Sequence, residues 1–306
     1  MLGRAVLTAR FSSIRQASSM QKDYTGRRIL AVLAHPDDET FGMGGTLAYY
    51  AHSGAEVYLV CTTRGEAGEV APQYLEGYAS IAELRAEELR CAAKTLGIKQ
   101  HFFLDHRDSG MPGSAFNHDP HALMNIPLDQ VADEVEAYLR TLQPHVVITH
   151  DPAGNYHHPD HIATHQAAVM AFSRLIEQAE TEEENAYRPE GLYFYSFHRR
   201  RMKWLLYLMP LLGMDPKRYG RNGDINLERI LSMDFPLHVE VHYASVAALR
   251  DQASRCHASQ GGTGREWTLF GRLRRLFTAS KDAFMQAHPA PQNRRVKRDL
   301  FEGLSG

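Results

Sequence analysis

Residues 28–39 read Arg28-Ile29-Leu30-Ala31-Val32-Leu33-Ala34-His35-Pro36-Asp37-Asp38-Glu39. The first seven make a short, nearly continuous apolar run, the pattern of a parallel strand covered on both faces. The last five set an imidazole and three carboxylates at the end of that run, with Pro36 stiffening the turn. Ionisable groups crowded at the end of a buried strand point to chemistry there. Downstream, Thr40–His52 carries a helical pattern, and Gly42, Gly44 and Gly45 imply close packing near its start.

The same alternation continues along the chain. Strands are expected at Glu56–Thr62, His101–Leu104 and His145–Thr149. Helices are expected at Ser80–Leu96, ended by Gly97, at Ile126–Leu142, and at Pro159–Leu175. Strand–helix alternation predicts an α/β fold with a Rossmann-like, doubly wound, mostly parallel sheet. Each polar cluster follows a predicted strand: His35-Pro36-Asp37-Asp38, Thr63-Arg64-Gly65-Glu66-Ala67-Gly68, Asp105–Met111 (DHRDSGM) and Asp151–His161. Open α/β sheets bind their ligands at these carboxyl ends.

After Pro159–Leu175, the acidic stretch Glu177–Pro189 reads as a surface linker, and Gly191–Phe197 as a further strand. Arg199, Arg200, Arg201 and Lys203 precede the apolar Trp204–Met214, which is too short to span a bilayer. Packing or an oligomer contact is the expected use, so a homo-oligomer is possible. Leu237–Val241 is expected as an edge strand and Ala244–Ser259 as a helix. The whole reads as a single domain, residues 27–306, with a core at 27–175 and C-terminal additions at 190–306.

Composition sets outer bounds. With 43% apolar and 23% charged residues, the chain is an ordinary globular protein. A net charge of −2 provides no field for nucleic acid or an anionic membrane. The basic turns Arg272–Arg275 and Arg294–Arg298 lack interleaved aromatics and read as solvated faces. Cys61, Cys91 and Cys256 are far apart and read as isolated thiols in a reducing, cytoplasmic setting. Residues 1–26 form an N-terminal extension. Its first 22 residues have arginines, serines and no acid, as in an organellar transit peptide, or as in a mis-assigned start with Met20 the initiator. No apolar run is long enough to cross a membrane.

His158 and His161 lie three apart across the first turn expected after Pro159, so both can face one side. Two imidazoles and a carboxylate leave a coordination position open for water, as catalytic zinc requires. The same trio suits a facial iron(II) site. A lone His-x-x-His is otherwise commonly structural.

Together, AHPDDE after the first strand and HPDH after the fourth resemble the LmbE-like, or PIG-L-type, zinc deacetylase family. The likeness covers roughly residues 27–175, with a weaker echo at Ala247–Gln260 (ALRDQASRCHASQ). It implies a hydrolase that removes acetyl from an N-acetylglucosamine-type conjugate. By that resemblance His35, Asp38 and His161 would hold one Zn2+, Asp37 would be the general base, and His158 would stabilise or protonate the tetrahedral intermediate. Tyr156 would assist at the oxyanion. Arg85, Asp108, Met111 and Glu66 match substrate-binding positions, Glu66 equally as a supporting contact. The Pro112–Pro127 loop would frame the pocket. Two alternatives stand beside this reading: an amidase acting on a non-sugar or thiol conjugate, and a non-catalytic carbohydrate-binding relative.

Overall fold

The computed structural model describes residues 22–181, 186–196, 203, 206–218, 226–233, 235–262 and 280–304. Among them, seven strands form one sheet: β1 (Arg28–Leu33), β2 (Glu56–Thr63), β3 (Gln100–His106), β4 (Val146–Thr149), β5 (Gly191–Ser196), β6 (Val239–His242) and β7 (Lys281–His288). Their order is β3-β2-β1-β4-β5-β7-β6. Strands β1 to β5 run parallel, and β7 lies antiparallel to both β5 and β6.

Alternation along β1 separates two apolar layers. Ile29, Ala31 and Leu33 face α1 (Asp38–His52), α2 (Ile81–Leu96) and the later helix carrying Ala253. Leu30 and Val32 face α3 (Leu128–Leu142) and α4 (Pro159–Thr181) through Val131, Val135, Leu139, Ala168 and Phe172. Both faces are covered, which is why the strand reads as unbroken apolar sequence. Each fully buried leucine, such as Leu47 or Leu89, contributes roughly 1.5–3 kcal/mol of transfer free energy. Helix α2 starts at the Ser80 cap, whose Oγ accepts from the Glu83 N–H at 3.1 Å, and stops at Gly97 with φ of 81°. Gly45 is required for packing: a Cβ there would meet the Tyr243 ring at 2.2 Å.

Two short helices follow, α5 (Leu227–Ser232) and α6 (Ala247–Cys256). Within the apolar 204–214 stretch, Met209 is buried against Leu227, Ile230 and Leu231, while Tyr207 and Leu211 are 75% and 80% exposed. Trp204, Leu205, Arg199–Arg201 and Arg272–Arg275 lie outside the described residues. No helix among the described residues is long and apolar enough to cross a membrane.

Four sequence expectations change. Strand β7 was not foreseen, and it intervenes between β5 and the edge strand near Val239. Its sequence, KDAFMQAH, mixes charge with apolar residues and lacks a clean period. Helix α4 runs on to Thr181, into the expected linker, because Glu177-Gln178-Ala179-Glu180 are good helix formers. Residues ahead of 27 pack on the domain: Tyr24 is buried, and its hydroxyl donates to Asp299 at 2.9 Å. Finally, Cys91 and Cys256 are not isolated thiols. They form a disulfide joining α2 to α6, and Cys61 alone is free and buried. The cysteine argument for a reducing compartment therefore no longer stands.

Candidate active site

The sheet order reverses between β1 and β4, the switch point where such folds open a crevice. His35-Pro36-Asp37 leaves β1 there, and the Asp151–His161 segment leaves β4. Their side chains converge: His35 Nδ1 lies 3.2 Å from His161 Nε2, which lies 3.3 Å from Asp38 Oδ1. Asp38 Oδ2 is 3.5 Å from His35 Nδ1. Ligands about 2.0–2.1 Å from a tetrahedral ion sit about 3.3–3.4 Å from one another. Asp38 thus meets His161 through Oδ1 and His35 through Oδ2, and the three belong to a buried His/Asp cluster, with His150, His158, Asp108 and Asp160, whose ligand atoms are close enough to hold a divalent metal.

The surroundings fit as well. The second nitrogen of His35, Nε2, faces Asp160 Oδ2 at 3.2 Å and Asp108 Oδ1 at 3.6 Å. Ser109 fixes Asp160 by donating its N–H at 2.9 Å and its hydroxyl. A carboxylate behind a ligating imidazole sets its tautomer and orientation. Burial disfavours a charged His35, yet Asp108, Asp160 and Asp38 outweigh it and raise its pKa well above the ordinary value. That is the signature of a negatively charged nest that a cation would relieve. Burial likewise opposes ionisation of Asp38, but His161, His150 and His35 hold its carboxyl well below the usual range. Burial keeps His161 neutral, the form that binds metal.

His150 stacks on His161 at 3.9 Å and approaches Asp38 at 3.6 Å, yet it is not poised as a ligand. Its Nε2 accepts the Ala34 N–H at 3.0 Å, leaving Nδ1–H for Asn155 Oδ1 at 2.7 Å. It is a buried strut that ties β1 to the β4 loop.

Asp37 sits at the start of α1 with φ of 119°, a left-handed conformation that costs a non-glycine residue of order 1–3 kcal/mol. Its Oδ2 accepts from Arg85 at 3.0 Å, and its N–H donates to Glu39 Oε2 at 2.9 Å. Burial pushes its carboxyl up to about 6, against the pull of Arg85. Arg85 comes from α2 and also donates to the carbonyls of Gly65 and Pro36. Gly65 must be glycine: its φ is +69°, and a Cβ would strike the guanidinium at 2.1 Å.

On the opposite wall, the Asp160 N–H donates to His158 Nδ1 at 3.2 Å, so the His158 proton sits on Nε2. Burial, with His35 adding to it, lowers this imidazole to about 3, so it is neutral. The Tyr156 hydroxyl lies 3.5 Å from His161 Nε2, and burial keeps it protonated. Both are neutral hydrogen-bond donors beside His35, Asp38 and His161.

A cavity of about 390 Å³ opens over these groups. His35, Asp37, Arg85, Asp108, Met111, Tyr156 and His158 line it, and Ser259 and Gln260 close one side. Its size is that of a small-molecule site. Glu66 is not on this wall. Its Oε1 accepts the Asp108 N–H at 3.0 Å, so it braces the loop that carries Asp108. Asp108 is itself engaged, accepting from Gly110 at 2.8 Å and Ala67 at 3.2 Å.

Sequence reading gave no role to Asp160, Ser109, Glu39, His150 or His257. Asp160 and Glu39 lay inside the quoted motifs, and the signal for them was simply the motif itself. His257 Nε2 donates to Glu39 Oε1 at 2.7 Å across the fold. Only the weak ALRDQASRCHASQ echo bore on it.

Comparison with known proteins places these features in context. The family profile described as PIG-L, GlcNAc-PI de-N-acetylase, matches residues 30–172. A protein of Actinosynnema mirum named 1D-myo-inositol 2-acetamido-2-deoxy-alpha-D-glucopyranoside deacetylase is 42% identical over 292 residues, 91% of this chain and 98% of that one. The fold resembles that of N,N'-diacetylchitobiose deacetylase from Pyrococcus horikoshii, with TM-score 0.57 and 21% identity over 87% of this chain and 88% of that one. It also resembles GalB, the 4-carboxy-2-hydroxymuconate hydratase of Pseudomonas putida KT2440. There the TM-score is 0.53 and identity 19%, over 90% of this chain and 99% of that one. A hydratase on the same scaffold means the fold alone does not choose the reaction.

Proposed function

The chain belongs to the PIG-L family of GlcNAc-PI de-N-acetylases, and from that premise we propose that it is a metal-dependent hydrolase acting on an N-acetylated amino sugar conjugate. The products would be acetate and a free amine. The observation that carries this reading is the convergence of His35, Asp38 and His161 at ligand spacing, with Asp37, His158 and Tyr156 around the same cavity.

Zinc is the proposed ion, held by His35, Asp38 and His161. When bound, it supplies Lewis-acid polarisation of the amide carbonyl and a water of lowered pKa. The chain's own groups do the rest. Asp37, fixed by Arg85, accepts the proton of the attacking water and returns it to the departing nitrogen. A carboxyl near neutrality suits both halves of that transfer. His158 Nε2–H and the Tyr156 hydroxyl donate to the oxygen on which charge develops, and their neutral state lets them do so without a proton change. Arg85, Asp108 and Met111 form the wall against which the sugar would lie.

We include a cytoplasmic setting in this reading. It expects Cys91 and Cys256 to be held reduced in the cell and to pair on isolation, so thiol titration of protein quenched directly from cells should find three free thiols, and a single free thiol would overturn it.

The decisive experiment is an acetate-release screen over N-acetylglucosamine conjugates carrying inositol, malate, lipid or a second sugar. Release abolished by chelator and restored by zinc supports the reading. Turnover of a non-sugar amide alone would keep the hydrolase and overturn the substrate class.

A further inference from the structure

We infer that His257 is a positioning residue for the hydrolytic reaction, acting through Glu39 to hold the backbone of Asp37; this rests on the deacetylase reading of the site. Asp37 is kept in a left-handed conformation, φ 119°. Such a conformation persists only where neighbouring contacts over-determine it. Because the Cβ leaves from the strained Cα, that backbone conformation decides where the carboxylate points.

The contacts that hold it form a short chain. Asp37 N–H donates to Glu39 Oε2 at 2.9 Å. Glu39 is fully buried, and its other oxygen accepts from His257 Nε2 at 2.7 Å and from the Thr40 hydroxyl. Without His257, the buried Glu39 carboxylate would lose one of its hydrogen-bond donors, and with it part of the hold on the orientation that meets the Asp37 amide.

His257 is itself firmly mounted. It follows Cys256, which is bonded to Cys91 on α2. Its carbonyl accepts from the N–H groups of Gln260 at 3.2 Å and Gly262 at 3.0 Å. Ser259, two residues on, donates to Glu88 through both its N–H and its hydroxyl, each at 2.7 Å. The same turn brings Ser259 and Gln260 to the cavity. A segment beyond residues 30–172 thus completes the support of the Asp37 turn.

The test compares His257→Gln with His257→Asn. Gln places its amide nitrogen near the Nε2 position and can still donate to Glu39; Asn is too short. Amide hydrogen exchange at Asp37 is followed in the metal-free protein. The loaded enzymes are assayed for kcat, KM and bound zinc on an N-acetylglucosamine conjugate.

In wild type the Asp37 amide should exchange slowly. In His257→Asn it should exchange faster, kcat should fall about 10–100-fold, and zinc content should hold. KM should stay within about twofold, because substrate contacts are untouched. His257→Gln should recover most of both. Equal losses in the two variants, an unchanged kcat in His257→Asn, or fast exchange at Asp37 in wild type would each overturn the inference. The wild-type exchange decides even if His257→Asn does not fold. If wild type hydrolyses no amino sugar, the substrate reading fails, and the exchange data still judge the role of His257.

Discussion

Asp37 is the proposed base, and its surroundings differ from those of its neighbour. Asp38 faces His35 and His161, whereas Asp37 faces Arg85 and the cavity. Asp37→Asn should therefore keep its zinc while turnover falls by about 10²–10⁴, as loss of a general base does. Metal analysis beside steady-state kinetics checks this, and a fully active variant would reassign the base. Arg85 gives a second test. Its guanidinium donates to Gly65, Pro36 and Asp37, all within the protein. Arg85→Gln should lower kcat as well as raise KM, because it loosens the base. A rise in KM alone would mark Arg85 as a sugar contact and nothing more.

At the scale of elements, two ties between distant segments make predictions of their own. The Cys91–Cys256 disulfide fastens α2, which carries Arg85, to α6, which leads to His257. Thiol titration of unfolded, unreduced protein should find one free cysteine, Cys61, of the three in the sequence. Cys91→Ser should cost about 2–4 kcal/mol by chemical denaturation, and reductant should do the same to wild type. The second tie is Asp282 of β7, whose Oδ2 accepts from the Thr46 N–H at 2.9 Å and the Thr46 hydroxyl at 2.8 Å, pinning α1. Burial raises its carboxyl from 3.8 to about 6. Below 3.8 both folded and unfolded chains are protonated. As pH rises towards 6 the unfolded chain ionises first, so stability falls and stays lower above 6. The loss is up to about 3 kcal/mol. Asp282→Asn keeps an acceptor for Thr46 and should be more stable than wild type at pH 8 but not at pH 4.

For the molecule as a whole, the site is a concentration of buried charge that could hold a cation. Asp38, Asp108 and Asp160 all act on His35. Removing the metal should therefore lower Tm as well as abolish activity. Zinc at a hundred times its Kd should restore about 2.7 kcal/mol of stability. Calorimetry of chelated and reloaded protein reads this directly. An unchanged Tm would mean that the three ligands do not hold an ion in the folded state.

The sequence by itself determined the parallel half of the sheet, because strands covered on both faces must be largely apolar, as Ile29–Ala34 and Val57–Cys61 are. It also pointed to the two motifs whose side chains meet, since His35 and Asp38 are near neighbours and the first turn of a helix places His158 and His161 on one side; the choice of His35, Asp38 and His161 as the proposed ligands came from the family resemblance. Contacts between distant segments belonged to the tertiary structure. Nothing local in KDAFMQAH marks a strand that pairs with β5 and β6. Nothing in the spacing of Cys91 and Cys256 indicates their bond. The bracing of Asp37 is of the same kind. Arg85 reaches it from α2, and His257, just past α6, reaches its support Glu39; the proximity of those helices depends on how they pack over β1 and β2. Residue type and short spacing fixed which chemistry the chain carries; packing alone decided which groups hold that chemistry in place.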